Sequence, residues 1–305
     1  MSKTIRGIVP PVVTPLHEDY RFDKGSYEKL IEHLIGGGVD GLFVLGSSSE
    51  VVFSTDARRD EIVKAAVEFN RGRVPILVGV IDTETNRVIE HIKRAVDLGA
   101  DAVVATAPFY ALQTMTEVEE HFRLLAEASP VPVWAYDIPV CVHTKLPGDL
   151  MLRLGKEGVL AGVKDSSGDD VAFRQLALDN QDAGHPLSLL TGHEVVVDGA
   201  YMSGADGCVP GLGNVDPAGY VKQWQAYQAG DWETVRSEQD RLARLMRIVN
   251  VKGVGGFGAG IGSFKTALWL LGIFETNQMP QPVKALSGEN IEHVRAVLRE
   301  ADLLN

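Results

Sequence analysis

Lys164 ends an apolar run, Ala161-Gly162-Val163, and opens a polar turn, Asp165-Ser166-Ser167-Gly168-Asp169-Asp170. If that run is a buried strand, alternation puts Gly162 and Lys164 on one face and Val163 and Asp165 on the other. A lysine amine with an ordinary pKa of ~10.4 is neutral in only about one molecule in 2,500 at pH 7. Desolvation lowers that value, and a drop of three units takes roughly 4 kcal/mol, within reach of burial among apolar walls. A neutral amine so placed attacks ketones and forms a Schiff base that draws electrons from the neighbouring carbons. On this stretch alone two other readings stand beside it: an ammonium that snorkels to solvent, and an ion pair with Asp165 or Asp169.

A second stretch favours the amine. Val131-Pro132-Val133-Trp134-Ala135-Tyr136 ends on a tyrosine just before a turn set by Pro139. Imine formation needs proton transfers at the carbinolamine, and a positioned phenol supplies them when another group relays its proton. Gly46-Ser47-Ser48-Ser49-Glu50 offers such hydroxyls, although serines at a turn before a helix also serve as caps. Tyr110 stands at the tip of Pro108-Phe109-Tyr110, where a bare aromatic belongs to an interface or to a site.

Positioning these groups requires strands. Residues 37–46, 98–106 and 203–211 repeat one pattern: a helix end, a glycine suited to positive φ, an Asp turn and a short apolar strand. Eight apolar runs bounded by Gly, Pro or Asp recur along the chain, at 7–13, 41–45, 76–80, 102–106, 131–136, 160–164, 187–191 and 206–210. Amphipathic stretches separate them, such as 55–70, with Thr55 as its N-cap and Ile62, Ala65, Ala66 and Phe69 on one face. The pattern predicts an α/β fold, a (β/α)8 TIM barrel over residues 1–226, followed by a C-terminal helical appendage over 227–305. In such a barrel the chemistry sits at the carboxyl ends of the strands, where Lys164, Tyr136 and the serine turn all fall.

Composition narrows the partners. Against 29 Lys and Arg the chain carries 41 Asp and Glu, a formal charge of −12 that opposes nucleic acid phosphates. No apolar run approaches the ~18 residues of a membrane span and no signal peptide opens the chain, which predicts a cytoplasmic protein. Cys141 and Cys208 are too few for a disulfide framework. The glycine-rich stretch 253–262 fails as a phosphate loop because Phe264, not glycine, precedes Lys265; it reads as a loop before a helix. No His-x-x-x-His pair or carboxylate cluster at metal spacing predicts a metal site.

With these residues in view the chain resembles the dihydrodipicolinate synthase and N-acetylneuraminate lyase family, class I aldolases that carry pyruvate or a pyruvoyl group as a lysine Schiff base. The resemblance spans nearly the whole chain. It rests on Gly46-Ser47-Ser48-Ser49-Glu50, Pro108-Phe109-Tyr110, Tyr136-Asp137-Ile138-Pro139, Gly162-Val163-Lys164-Asp165-Ser166-Ser167-Gly168-Asp169, and the Phe264–Ile273 stretch. It implies that Lys164 forms the imine, Tyr136 is the general acid/base, Ser47 relays the proton and Ser48 contacts the pyruvoyl carboxylate. Tyr110 would be lent across a dimer interface to a neighbour's relay, and Val209 would lie near the pyruvoyl group. It further implies a homotetramer built from two dimers, and no cofactor beyond the covalent lysine–pyruvate imine.

Departures from the family pattern bear on substrate. Dihydrodipicolinate synthases place an arginine two residues after the proline of the Tyr136 turn, to hold the carboxylate of aspartate semialdehyde. Cys141 occupies that place and cannot form a bidentate ion pair. In sialic acid lyases the stretch matching Gly192-His193-Glu194 binds a polyol, so Gly192 and Glu194 could touch sugar hydroxyls; Glu194 could equally be a first-turn acid of a helix. Ser49 and His143 replace family glycines and could narrow the pocket. The expected activity joins or splits pyruvate and an aldehyde, with a 2-oxo-3-deoxy sugar acid-like substrate. The alternatives are dihydrodipicolinate synthase itself, a dehydratase working through the same imine, and a non-catalytic 2-oxo acid binding protein.

Overall fold

The computed structural model describes residues 5–304. All eight expected strands form, trimmed at their ends: β1 (Gly7–Ile8), β2 (Leu42–Val44), β3 (Ile76–Gly79), β4 (Ala102–Thr106), β5 (Val133–Asp137), β6 (Gly162–Asp165), β7 (Ser188–Thr191) and β8 (Gly207–Cys208). Helices α1 (Lys24–Gly36), α2 (Asp56–Asn70), α3 (Thr85–Asp97) and α4 (Met115–Ala128) follow the first four strands in turn. After β5 come the short α5 (Pro139–Val142) and then α6 (Gly148–Lys156); α7 (Asp170–Asp182), α8 (Val197–Met202) and α9 (Pro217–Ala229) follow β6, β7 and β8.

Every ladder is parallel, and the order runs β1-β8-β7-β6-β5-β4-β3-β2. Its two ends meet through a parallel bridge between Pro11 and Phe43. There Val12 N donates to the Phe43 carbonyl at 2.9 Å and Phe43 N to the Pro10 carbonyl at 3.0 Å, which completes a (β/α)8 barrel. Strand residues are buried on both faces, as a sheet between side chains on its axis and helices outside must be. The three repeated glycines turn each helix back into the next strand, Gly38, Gly99 and Gly204 at φ of 87°, 103° and 96°. Thr55 caps α2 as expected, its hydroxyl accepting from Arg58 N at 3.3 Å.

Three more helices succeed α9: α10 (Trp232–Leu245), α11 (Gly256–Leu270) and α12 (Glu289–Glu300). The expected division at 226/227 falls inside α9. The glycine-rich stretch is also not a loop: α11 begins at Gly256 and carries Gly258, Gly260 and Gly262 within it. Glycine weakens an isolated helix, but at Gly258 it permits close packing, since a Cβ there would stand 3.1 Å from Val254 and 3.3 Å from Val283. Among the described residues no helix is long and apolar enough to cross a membrane.

The seam between first and last strands is tight. Gly7 pairs with Gly207, and a Cβ on Gly207 would stand 2.0 Å from the Gly7 carbonyl oxygen, at a φ of 151°. The substitution Gly207→Ala should therefore lower stability by at least about 2 kcal/mol, since backbone lies on both sides of the clash. Urea denaturation measures this, and an unchanged midpoint would contradict it.

Candidate active site

Register decides which side chains share the barrel axis. Thr106 pairs with Tyr136, Tyr136 with Lys164, and Lys164 with Leu190, so these four stand abreast on one face. Lys164 and Tyr136 are 5 % and 3 % exposed. The Lys164 nitrogen lies 4.1 Å from the centre of the Tyr136 ring and 4.9 Å from that of Phe43, which reaches across from β2. It neither snorkels nor pairs with the acids that follow it. Asp165 Oδ1 accepts from Ser167 N and Oγ at 2.8 and 2.7 Å, and Asp169 caps α7 by accepting from Ala172 N at 2.9 Å.

Asp137, one residue past Tyr136, is fully buried on the other face. It accepts from Leu146 N at 3.1 Å and pairs with Lys145, which anchors the segment behind α5. Burial pushes its carboxyl up against the pull of that lysine.

The serine turn follows β2 through Leu45 and ends on Glu50, both in left-handed backbone at φ of 58° and 61°. Ser49 points into the protein, accepting from Gly46 N at 3.2 Å and donating to the Val12 carbonyl at 2.5 Å. Ser47 and Ser48 instead face a cavity of about 260 Å³ that also contains Lys164 and Tyr136.

Gly192, Glu194 and Val209 line the same cavity. A Cβ at Gly192 would meet Ser166 Oγ at 2.1 Å, so a larger residue there would have to displace the Ser166 side chain. Val209 N extends the ladder to the Thr191 carbonyl at 2.7 Å. Glu194 does not cap α8; its Oε2 accepts from Leu212 N at 2.6 Å, on the turn after β8. Burial pushes its carboxyl up to about 7, opposed by the Leu212 and Gly211 amides and by Lys164.

Two expected site residues stand apart from this group. Cys141 is exposed on α5 and off the cavity wall, with its thiol toward Ser47. Tyr110 is 95 % exposed at a φ of 73° and does not line the cavity of its own chain. His143 likewise lies outside, exposed, ending α5 in left-handed backbone, so neither it nor Ser49 narrows the pocket.

Sequence reasoning missed the cover. Phe257, Gly260 and Ile261 of α11 close one side of the cavity. Four residues on from Ile261, Lys265 is fully buried and pairs with Glu50 at 2.6 Å. The signal was available in the i, i+4 spacing of Phe257, Ile261 and Lys265, which places them on one helix face.

A larger cavity, about 630 Å³, opens at the amino-terminal mouth of the barrel beside Asp101, Trp134 and His185. It lies at the wrong end for barrel chemistry; there Arg6 forms an ion pair with the buried Asp206, which also contacts the His185 ring. Among the described residues His17, Asp23 and Glu275 hold ligand atoms within 4.8 Å of one another, a grouping the sequence spacing did not suggest. Asp23 caps α1 there, its Oδ1 accepting from Ser26 N at 3.0 Å, and none of the three lines the Lys164 cavity.

Fold and cavity together define a (β/α)8-barrel protein with its candidate site at the carboxyl ends of the strands. The chain belongs to the dihydrodipicolinate synthetase family, a family of lyases whose model matches residues 4–301. An uncharacterised DapA-like lyase of Halobacterium salinarum is 32% identical over 301 residues, 98% of this chain and 95% of its own. The 4-hydroxy-tetrahydrodipicolinate synthase of Phenylobacterium zucineum is 29% identical over 98% of each chain. Among solved structures, dihydrodipicolinate synthase from Bacteroides thetaiotaomicron superposes with a TM-score of 0.92 at 31% identity, covering 98% of this chain and all of its own. A prophage protein of the same family from E. coli K12, solved in complex with pyruvate, gives 0.92 at 25% identity over 98% and 99%.

The raised carboxyl of Glu194 gives a testable pH dependence. The folded chain keeps its proton to about pH 7, whereas the ordinary glutamate value is 4.5. Between those values the folded state binds more protons, so stability falls as pH rises from 4.5 to about 7. Relative to Glu194→Gln, wild type should lose on the order of 1–3 kcal/mol across that window, the partial exposure of Glu194 keeping the loss below the full shift. Urea curves at the two ends measure the difference; parallel behaviour of the two proteins would contradict it.

Proposed function

We propose that the protein is a Schiff-base aldolase acting on pyruvate and an uncharged, hydroxylated aldehyde. The observation that carries this reading is the Lys164 amine, buried between two aromatic rings and beside the Tyr136 phenol at the carboxyl mouth of the barrel. The amine attacks the C2 carbonyl carbon of pyruvate. Tyr136 delivers a proton to the departing oxygen, water leaves, and a protonated imine remains. Loss of a C3 proton gives the enamine, whose C3 forms a bond to the aldehyde carbon while the aldehyde oxygen takes up a proton. Water then hydrolyses the imine and frees Lys164; cleavage is the reverse sequence.

Ser47 relays protons for Tyr136, and Ser48 holds the pyruvate carboxylate from the same turn. In this reading Tyr110 serves a neighbouring subunit, which accounts for a bare aromatic at a loop tip, and the protein works as a homotetramer of two dimers. The imine itself is the electrophile, so the reading requires no further cofactor.

Charge selects the second substrate. Among the residues lining the cavity Lys164 is the one basic side chain and Glu194 the one acidic side chain. A carboxylate on the aldehyde would meet Glu194 with no arginine to balance it, since Cys141 stands where the family's arginine would be and is off the wall. Hydroxyls suit Gly192 and Glu194, so a sugar acid-like product fits, and aspartate semialdehyde fits poorly. A dehydratase working through the same imine draws support from Glu194, whose partly protonated carboxyl could assist a departing hydroxyl.

Borohydride reduction with pyruvate tests the reading. It should fix a pyruvyl adduct on Lys164, leave Lys164→Ala unlabelled, and slow by about 10²- to 10⁴-fold in Tyr136→Phe. A wild-type chain of unchanged mass would favour the non-catalytic binding protein. Given trapping, turnover with hydroxyaldehydes but not with aspartate semialdehyde supports the substrate assignment; the opposite preference restores dihydrodipicolinate synthase, and water loss from a sugar acid without C–C cleavage marks a dehydratase.

A further inference from the structure

Lys265 Nζ donates to Glu50 Oε2 at 2.6 Å and to the Gln278 carbonyl at 3.1 Å. Both side chains are sealed from solvent, and Glu50 Oε1 has no hydrogen-bond partner among the described residues, so Lys265 is the cation that contacts the carboxylate, with Arg58 attracting it from farther off. Burial pushes the Glu50 carboxyl up and the Lys265 amine down, each against the attraction of the other. A buried pair of this kind is a poor source of stability, because desolvating two charges offsets most of their attraction and packed apolar groups serve as well.

What the pair adds is position. Glu50 ends the serine turn: its N–H donates to the Ser47 carbonyl at 3.0 Å, and its left-handed backbone persists only where the surroundings enforce it. On the barrel side the turn is pinned by Ser49 to Val12 and by the Thr14 hydroxyl, which donates to the Ser49 carbonyl at 2.8 Å. On the other side its holder is Lys265, 215 residues later in the chain. Ser47 and Ser48, immediately before these anchors in the turn, line the cavity.

We infer that Glu50 and Lys265 are positioning residues for the proton relay: their ion pair clamps the serine turn from the α11 side and so fixes the Ser47 hydroxyl relative to Tyr136 and Lys164. The inference rests on the imine reading for its catalytic consequence, and on geometry alone for the clamp.

The test uses full-length Glu50→Gln, Lys265→Met and the double variant Glu50→Leu/Lys265→Met, with two readouts. The double variant removes both charges together and keeps the fold where a single change strands one charge in the interior. Amide exchange over residues 46–53 should quicken at least about tenfold in the double variant while β6 amides stay protected. The rate of borohydride-trappable imine at saturating pyruvate should fall about 10- to 100-fold, while the pyruvate KM, which Ser48 on the same turn also sets, rises by a smaller factor, a loss confined to the turn that general loss of structure would not give. A folded double variant with wild-type exchange and a wild-type imine rate overturns the inference. If wild type itself traps no pyruvate, the imine reading fails, and the exchange data still decide whether the pair holds the turn.

Discussion

In a parallel ladder, paired residues stand abreast, and in a closed ring of strands the face they share is either the axis or the helices. Everything at this site depends on that constraint. Tyr136 and Lys164 are ladder partners, and so are Asp137 and Asp165 immediately beyond them. One face receives an amine and a phenol; the other receives two carboxylates, which Lys145 and the Ser167 turn occupy. A slip of one residue in either strand would exchange the faces and set an acid against the amine.

The electrostatic layout follows from the same geometry. Three buried acids elsewhere have a cation: Asp137 has Lys145, Glu50 has Lys265 and Asp206 has Arg6. Lys164 has aromatic faces in place of a carboxylate, and the acid that shares its cavity, Glu194, is itself drawn toward its neutral form. At the amino-terminal mouth the ions neutralise one another; at the carboxyl mouth a reactive group is left available. That division matches the general separation of stability and chemistry between the two ends of such barrels.

Much of this was legible in the sequence because the fold is built from local signals. The eight apolar runs, and glycines such as Gly38, Gly99 and Gly204, announce strands and turns through backbone preferences that need no distant partner. Lys164 and Tyr136 could be assigned a common face because strand alternation is a strict rule of period two. What stayed hidden depends on contacts far apart in the chain. Lys265 looks like an ordinary helical lysine until α11 is laid over the serine turn, and Gly258 looks like a loop residue until Val254 and Val283 pack closely against it. Ser49 failed in the opposite direction: as one of three consecutive serines it resembles its neighbours, yet the tight turn aims its hydroxyl at Val12. Cys141 and Tyr110 were placed by analogy with a family whose subunits associate, and a single chain leaves both outside the cavity.

The distance in sequence between Glu50 and Lys265 also orders events on the ribosome. The chain emerges from its amino end, so all eight strands, the amine and the phenol exist before α11 has been synthesised. Until then the Glu50 carboxylate lacks the cation that contacts it, and the full burial of its charge waits for the last stretch of the chain. A nascent barrel can thus close early, while its reactive mouth remains wet and unfinished until translation is nearly over.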